Sequence, residues 1–151
     1  MINEFWNEPD FYNGCAYGLH IHMRRNGVKA WCGYVAVPPH HPAFGGDEFY
    51  IGPIPATQED LRNKDNFFHE YDLEVHGGIT WSRPHLPNEP SQGLWWFGFD
   101  CSHYADLTPW EIFRDSKSPG TYRTFEYALR ECFRLAEQLS EFTNDRVSHP
   151  A

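Results

Sequence analysis

The sequence predicts an α+β domain: an antiparallel sheet with a long C-terminal amphipathic helix packed on one face, two layers in all, and long Pro-rich loops over the other face. Three observations lead there. Several short segments alternate apolar and polar residues, as half-buried strands do, because successive side chains of a strand point to opposite sides. From about Tyr122 to Phe142, apolar residues recur at 122, 125, 129, 132, 136 and 139, the three/four spacing of one helical face. No strand–helix–strand alternation and no internal repeat is present, which argues against a parallel sheet. The 151 residues suit a single domain, 1–151, with its core over about 12–143.

In chain order, Cys15 to Arg24 alternates with Cys15, Tyr17, Leu19, Ile21 and Met23 on one side and Gly18, His20, His22 and Arg24 on the other, a half-buried strand. Asn26-Gly27 then predicts a two-residue hairpin loop. Val28 to Val37 is the return strand, in a register that sets His22 opposite Trp31 and His20 opposite Gly33. Residues 38–70 read as loop, except for a short helix from about Gln58 to Lys64 capped by Thr57. Tyr71 to Trp81 alternates again, with Glu74 and His76 on its polar side and a bulge expected at Gly77-Gly78. In Gly93-Leu-Trp-Trp-Phe-Gly-Phe-Asp-Cys-Ser-His103, the residues Trp95, Phe97, Phe99 and Cys101 fall on one face, and Leu94, Trp96, Gly98 and Asp100 on the other. Thr108-Pro-Trp-Glu111 is a capping box that opens a short helix before the long one.

Composition narrows the function. Twelve Lys and Arg against 21 Asp and Glu give a net charge of -9, which repels phosphate backbones, so no duplex nucleic acid is expected as partner. No apolar run reaches the roughly 18 residues of a membrane span, and the N-terminus lacks a signal peptide, so no membrane partner and a cytoplasmic location are expected. Cysteines at 15, 32, 101 and 132 lack paired spacing and read as free thiols. Twelve Pro and twelve Gly concentrate in loops, which on a small scaffold build sites.

The polar sheet face gathers His20, His22, Glu74, His76 and Asp100 beside Trp31 and Trp96, and two chemistries fit that set. In a metal-free site, Trp31 and Trp96 stack a ring while Arg24, His20, His22, His76 and Asp100 contact its polar groups. In a metal site, His20, His22, His76 and Asp100 bind a divalent ion such as Zn or Mn, with Glu74 as general base and His103 as a second catalytic group. A cupin is rejected for want of its downstream glutamate. Cys101 faces the core and is a poor nucleophile. No Walker A loop, dinucleotide fingerprint, nucleophile elbow or HExxH sequence occurs.

Trp31-Cys-Gly-Tyr-Val-Ala-Val37, His41-Pro42, Leu73-Glu-Val-His-Gly-Gly-Ile-Thr80 and Trp95-Trp-Phe-Gly-Phe-Asp-Cys-Ser-His103 followed by Asp106 resemble a family of small uncharacterised proteins encoded by bacteriophages and prophages. The resemblance spans roughly residues 31–140. It implies a phage origin and a place in the cytoplasm of an infected or lysogenic host. The function expected from origin and residues together is binding of a polar small molecule, a nucleotide-derived defence signal, which the protein sequesters. The alternatives are a metal-dependent, phosphodiesterase-like hydrolase and an inhibitor that blocks a host defence protein. A homo-oligomer whose neighbouring subunit completes the pocket is compatible with all three.

Overall fold

The computed structural model describes residues 7–46, 73–113 and 120–142. Five strands, β1 (Phe11–Ala16), β2 (Leu19–Arg25), β3 (Trp31–Val37), β4 (Trp81–Arg83) and β5 (Trp95–Asp100), form one antiparallel sheet in the order β1-β2-β3-β5-β4. Among the described residues two helices follow, α1 (Pro109–Phe113) and α2 (Phe125–Ser140). An open antiparallel sheet with a C-terminal helix is an α+β fold. Among the described residues no helix is long and apolar enough to cross a membrane.

The principal core forms where the apolar stripe of α2 meets the sheet. Ala128, Cys132, Leu135, Ala136 and Leu139 share one buried cluster with Ile21, Met23, Val35, Phe97 and Phe99. Each fully buried large side chain there contributes about 1.5–3 kcal/mol through removal of apolar surface from water. Thr124 is the N-cap of α2, its hydroxyl accepting from the Tyr127 N–H at 3.1 Å. Glu8 then fixes where the helix begins. Its Oε2 accepts from the Phe125 N–H at 2.7 Å, and its Oε1 accepts from Arg25 Nη2 at 2.9 Å and from Trp31 Nε1 at 3.1 Å. One carboxylate thereby ties the N-terminal segment, the β2–β3 hairpin and the first turn of α2, where the unpaired N–H groups favour negative charge.

Three expectations are corrected. The predicted strand over Cys15–Arg24 is two strands, because Tyr17 and Gly18 take φ of 54° and 76° and make a two-residue turn between β1 and β2. Positive φ at both central positions is the mark of a hairpin turn, but a Tyr in the first of them gives little warning. Cys15 consequently sits on β1 opposite His20 and is exposed. The second hairpin does not turn on Asn26-Gly27 alone. Asn26 Oδ1 accepts from the N–H groups of Val28 and Ala30, Lys29 takes φ 66°, and the strands resume pairing only at Arg25 and Trp31. His22 therefore faces Tyr34, and His20 faces Ala36. The longer loop moves β3 by an odd number of residues, which carries Trp31 and Gly33 to the helix side. Third, residues 73–79 are not a strand: they run through a turn in which Gly78 N–H donates to Val75 O, and bonding to β5 begins where the Thr80 N–H donates to Gly98 O, with Trp81–Arg83 as the paired strand.

The alternation of β5 is as expected, with Phe97, Phe99 and Cys101 in the principal core. The capping box is also present, Thr108 Oγ1 accepting from the Glu111 N–H at 3.3 Å. Tyr71, the Thr57-capped helix and residues 114–119 lie outside the described residues.

Trp31, at 0% exposure, packs edge-on against Phe125 and under the Arg25 guanidinium, so it is a core residue rather than a ligand platform. Trp31→Ala should lower the unfolding free energy by about 3–5 kcal/mol, read as a leftward shift of the urea midpoint.

Candidate functional site

The sheet face away from α2 is filled by the protein itself. Cys32, Tyr34, Ala36, Leu86 and Trp96 form a second buried cluster, with Trp81 and Leu94 packed against it. Leu86 comes from the Pro-rich loop after β4, so that loop lies on the sheet and covers Trp96. The absent side chain of Gly98 leaves room not for a ligand but for the Tyr34 ring, which a Cβ there would meet at 2.5 Å. Arg24 holds the loop down, donating to Pro87 O at 3.0 Å and pairing with Glu89.

The same arginine fixes His22. Guanidinium Nε–H only donates, so His22 Nε2, 3.0 Å away, must accept, and the ring proton sits on Nδ1, 2.6 Å from Asn13 Oδ1. Burial first, and then the Arg24 charge, push the His22 pKa down. Both nitrogens are used within the protein and the ring is neutral. His20, its expected companion, is exposed on that face and stands between Cys15 and Ala36.

His76 is elsewhere. Because 73–78 is a turn beside α2, parity along a strand does not govern it. Its Nδ1 lies 2.8 Å from the Tyr127 hydroxyl, and its backbone N–H donates to Glu131 Oε1, both on α2. Glu74 is likewise turned to α2, where it pairs in the open with Arg134 at 3.1 Å. The proposed set of His20, His22, His76 and Asp100 is thus divided between two sides of the molecule. Among the described residues no group of three or more His, Cys, Asp or Glu is arranged to hold a metal ion.

A different cluster forms beyond the end of β5. Asp106, whose side chain is 1% exposed, accepts at Oδ2 from His76 Nε2 (2.8 Å) and from the His103 N–H (3.0 Å), and at Oδ1 from Arg123 Nε (2.8 Å). Burial pushes the Asp106 carboxyl up, but these hydrogen bonds outweigh it and hold the pKa below the ordinary carboxylate range. An ionised carboxylate only accepts, so the His76 proton lies on Nε2, and in the neutral ring Nδ1 accepts from Tyr127. Tyr127 keeps its proton because burial, and then Glu131, raise its pKa. The result is a chain of hydrogen bonds from phenol through imidazole to buried carboxylate.

Asp100 stands next to it. It accepts from the Ser102 N–H and hydroxyl at Oδ1, 3.1 and 2.7 Å, and from the Thr80 hydroxyl at Oδ2, 3.1 Å. Burial raises its pKa and these bonds, with the nearby His103, more than reverse the effect, so it too is held low. His103 Nε2 lies 3.5 Å from Asp100 Oδ1, and the two imidazoles, His76 and His103, are 6.0 Å apart at their centroids. The His103 ring rests on the backbone of Gly77, where a Cβ would come within 2.2 Å of Nε2. A φ of 70° at Gly77 also suits glycine. Asp100 and His103 are therefore brought together where β5 ends, and His76 approaches them from the α2 side. Burial raises the Cys101 thiol beside them, which disqualifies it as a nucleophile.

In the sequence Asp106 stands out only as the tail of a motif, and no pattern there singles out Arg123 or Tyr127. The nearest signal is the spacing of Tyr127 and Glu131, one helical turn apart on α2.

Two outcomes follow from these contacts. Asp106→Asn leaves Arg123 without its carboxylate in a buried network and should cost about 3–5 kcal/mol, measured by chemical unfolding. Stability should also fall on the acid side. In His41, Nδ1 accepts from the Ala43 N–H and Nε2 faces Leu139 O, and burial lowers its pKa as it does that of His22. Such rings bind fewer protons folded than unfolded, so their contribution is complete above about pH 6.5 and is lost as pH falls from there toward the depressed folded values. The melting temperature should be flat above neutrality and decline below about pH 6.5. The combined variant His22→Gln/His41→Gln should flatten that decline.

No protein-family model matches the chain, and no curated protein or solved structure matches it. The chemistry of the site stands on its own geometry.

Proposed function

We propose that the protein binds a polar small molecule at the imidazole–carboxylate cluster beyond β5, with His103 as the group that meets the ligand and His76 as the neighbour that positions protons. The observation that carries this reading is the contrast between the two rings. Both His76 nitrogens are engaged, whereas His103 Nε2 has no hydrogen-bond partner among the described residues and stands 3.5 Å from an ionised carboxylate. Hydrogen bonds of catalytic and binding imidazoles are commonly long before the ligand arrives and shorten when it does. The His103 side chain is 37% exposed while Nε2 is covered, so its contact with a ligand is made through the rest of the ring.

Sequestration is the primary role in this reading, in line with the phage-type resemblance of the motifs that build the cluster. Trp31 and Trp96 have no part in it, since both are covered. Hydrolysis is the second reading, and one observation supports it: two imidazoles stand 6.0 Å apart, each beside its own carboxylate, the residue types that general acid–base catalysis uses. That chemistry uses His103 rather than Glu74.

The test is retention of small molecules. Compounds released by denaturing the protein purified from infected cells are identified by mass spectrometry, and their rebinding is measured for the wild type and for His103→Ala. A loss of about tenfold or more with an unchanged melting temperature supports the assignment. Equal rebinding by the variant contradicts it. Recovery of cleaved rather than intact compound after incubation distinguishes hydrolysis from sequestration.

A further inference from the structure

Residues 84–93, between β4 and β5, lie as a strap over the sheet face away from α2. At its root, Trp81 Nε1 donates to His85 O at 2.9 Å, and the two rings meet edge-on at 5.7 Å. In its middle, Leu86 is buried with Cys32, Tyr34, Ala36 and Trp96. Farther along, Arg24 grips it from β2, donating to Pro87 O at 3.0 Å and pairing with Glu89. Arg24 stands directly opposite Cys32 in the sheet, so the residue that grips the strap also neighbours a thiol beneath it. Where the guanidinium points is set by His22. Arg24 Nε donates to His22 Nε2 at 3.0 Å, a bond that needs a neutral ring. An imidazolium has an N–H on both nitrogens and nothing to accept with, so protonation sets a donor and a positive charge against the guanidinium. Asn13 Oδ1, 2.6 Å from Nδ1, keeps the ring from turning aside without losing that bond as well.

We propose that His22 is a proton-operated latch for this strap: neutral, it holds Arg24 in place and the strap down, and protonated, it displaces Arg24 and frees residues 84–93 from the Tyr34–Trp96 face while the principal core stays folded. The groups around the ring act on both sides of this balance. Burial and then Arg24 favour the neutral ring, Glu89 on the strap favours the charged one, and the net pKa is lowered. From β3, Tyr34 lies 6.2 Å away ring to ring and Cys32 stands opposite Arg24; both stay protonated, since burial pushes the thiol up to about 12 and the phenol up as well. From β1, Asn13 is uncharged. His20 shares the face of His22, and His85 belongs to the strap itself, where its Nδ1 lies 2.8 Å from Leu86 O. A ring that holds its proton more weakly when the strap is closed keeps it fully latched above about pH 6.5, and the latch weakens as pH falls from there toward the depressed folded value. At about pH 5 the opening equilibrium rises by at most about thirtyfold over its neutral value.

The cysteines report on the strap from within the molecule. Cys32 is buried beneath it, Cys15 is exposed, and Cys132 is buried in the principal core. The full-length protein is treated with dithiodipyridine, which labels thiols in acid as well as at neutrality, and each cysteine is followed by peptide mass spectrometry. Relative to Cys15, labelling of Cys32 should rise between about threefold and thirtyfold from about pH 7.5 to about pH 5, with Cys132 still protected. His22→Gln should abolish the rise, because its amide accepts from Arg24 and donates to Asn13 at either pH. His20→Gln and His85→Gln should retain it. Arg24→Gln should label fast at both pH values, and it decides the matter should His22→Gln fail to fold. A flat Cys32 rate overturns the proposal, as does a rise that survives in His22→Gln or Arg24→Gln or disappears in His85→Gln. Labelling of Cys32 and Cys132 at one common rate also overturns it, since the acid response is then global unfolding.

Discussion

The carboxylate of Asp106 is the constraint on which the working end of this molecule depends. It is almost wholly removed from water, yet it receives an imidazole, a guanidinium and a backbone amide, which arrive from three different stretches of chain. A buried anion is costly unless it is paired and hydrogen-bonded. The requirement that it be satisfied therefore dictates where the 73–78 turn, the loop after β5 and the residues before α2 must lie. Parallel bridging of Asp106 and Thr121, with the Leu107 N–H donating to Thr121 O at 2.9 Å, completes the tie. Glu8 plays a comparable part at the start of α2, and between them two carboxylates locate both sides of the helix N-terminus.

Two apolar clusters, one under α2 and one under the Pro-rich loop, account for most of the tryptophans and leave neither sheet face open at its centre. Polar chemistry is accordingly displaced to the sheet's end, where β5 stops and the chain turns through Ser102, His103 and Asp106. Loops held by a rigid sheet are the usual place for such groups, because the backbone there is released from ladder hydrogen bonding and side chains converge from several directions. In this protein the 100–111 segment carries the imidazole–carboxylate cluster.

What was legible in the sequence was whatever depends on period alone. The alternation of Trp95–Asp100 and the spacing of the apolar residues in α2 gave the correct buried faces, because each follows from local geometry. Register was not legible in the same way. Asn26-Gly27 signalled a turn, but the Asn26 side chain captured two further N–H groups and lengthened the loop, and the resulting odd shift moved Trp31 from the expected site into the core. His76 was misplaced for a related reason: Leu73 and Val75 alternate like a strand, yet they reach the core from a turn. Pairing of His76 with Asp106 and Tyr127 depends on how the turn and helix meet in space, which no spacing rule encodes. Asp100 and His103, three residues apart, were brought together because their proximity is local.

Asp106 holds the His76 ring and the His103 backbone at one point, and the His76 ring nitrogens report on it directly. Nitrogen-15 spectra of histidine-labelled protein at neutral pH should show His76 as a single tautomer, protonated at Nε2 and accepting at Nδ1, and that signature should vanish in Asp106→Asn. A His76 ring that averages its two tautomers as a solvent-exposed imidazole does, or one indifferent to the substitution, would contradict the account.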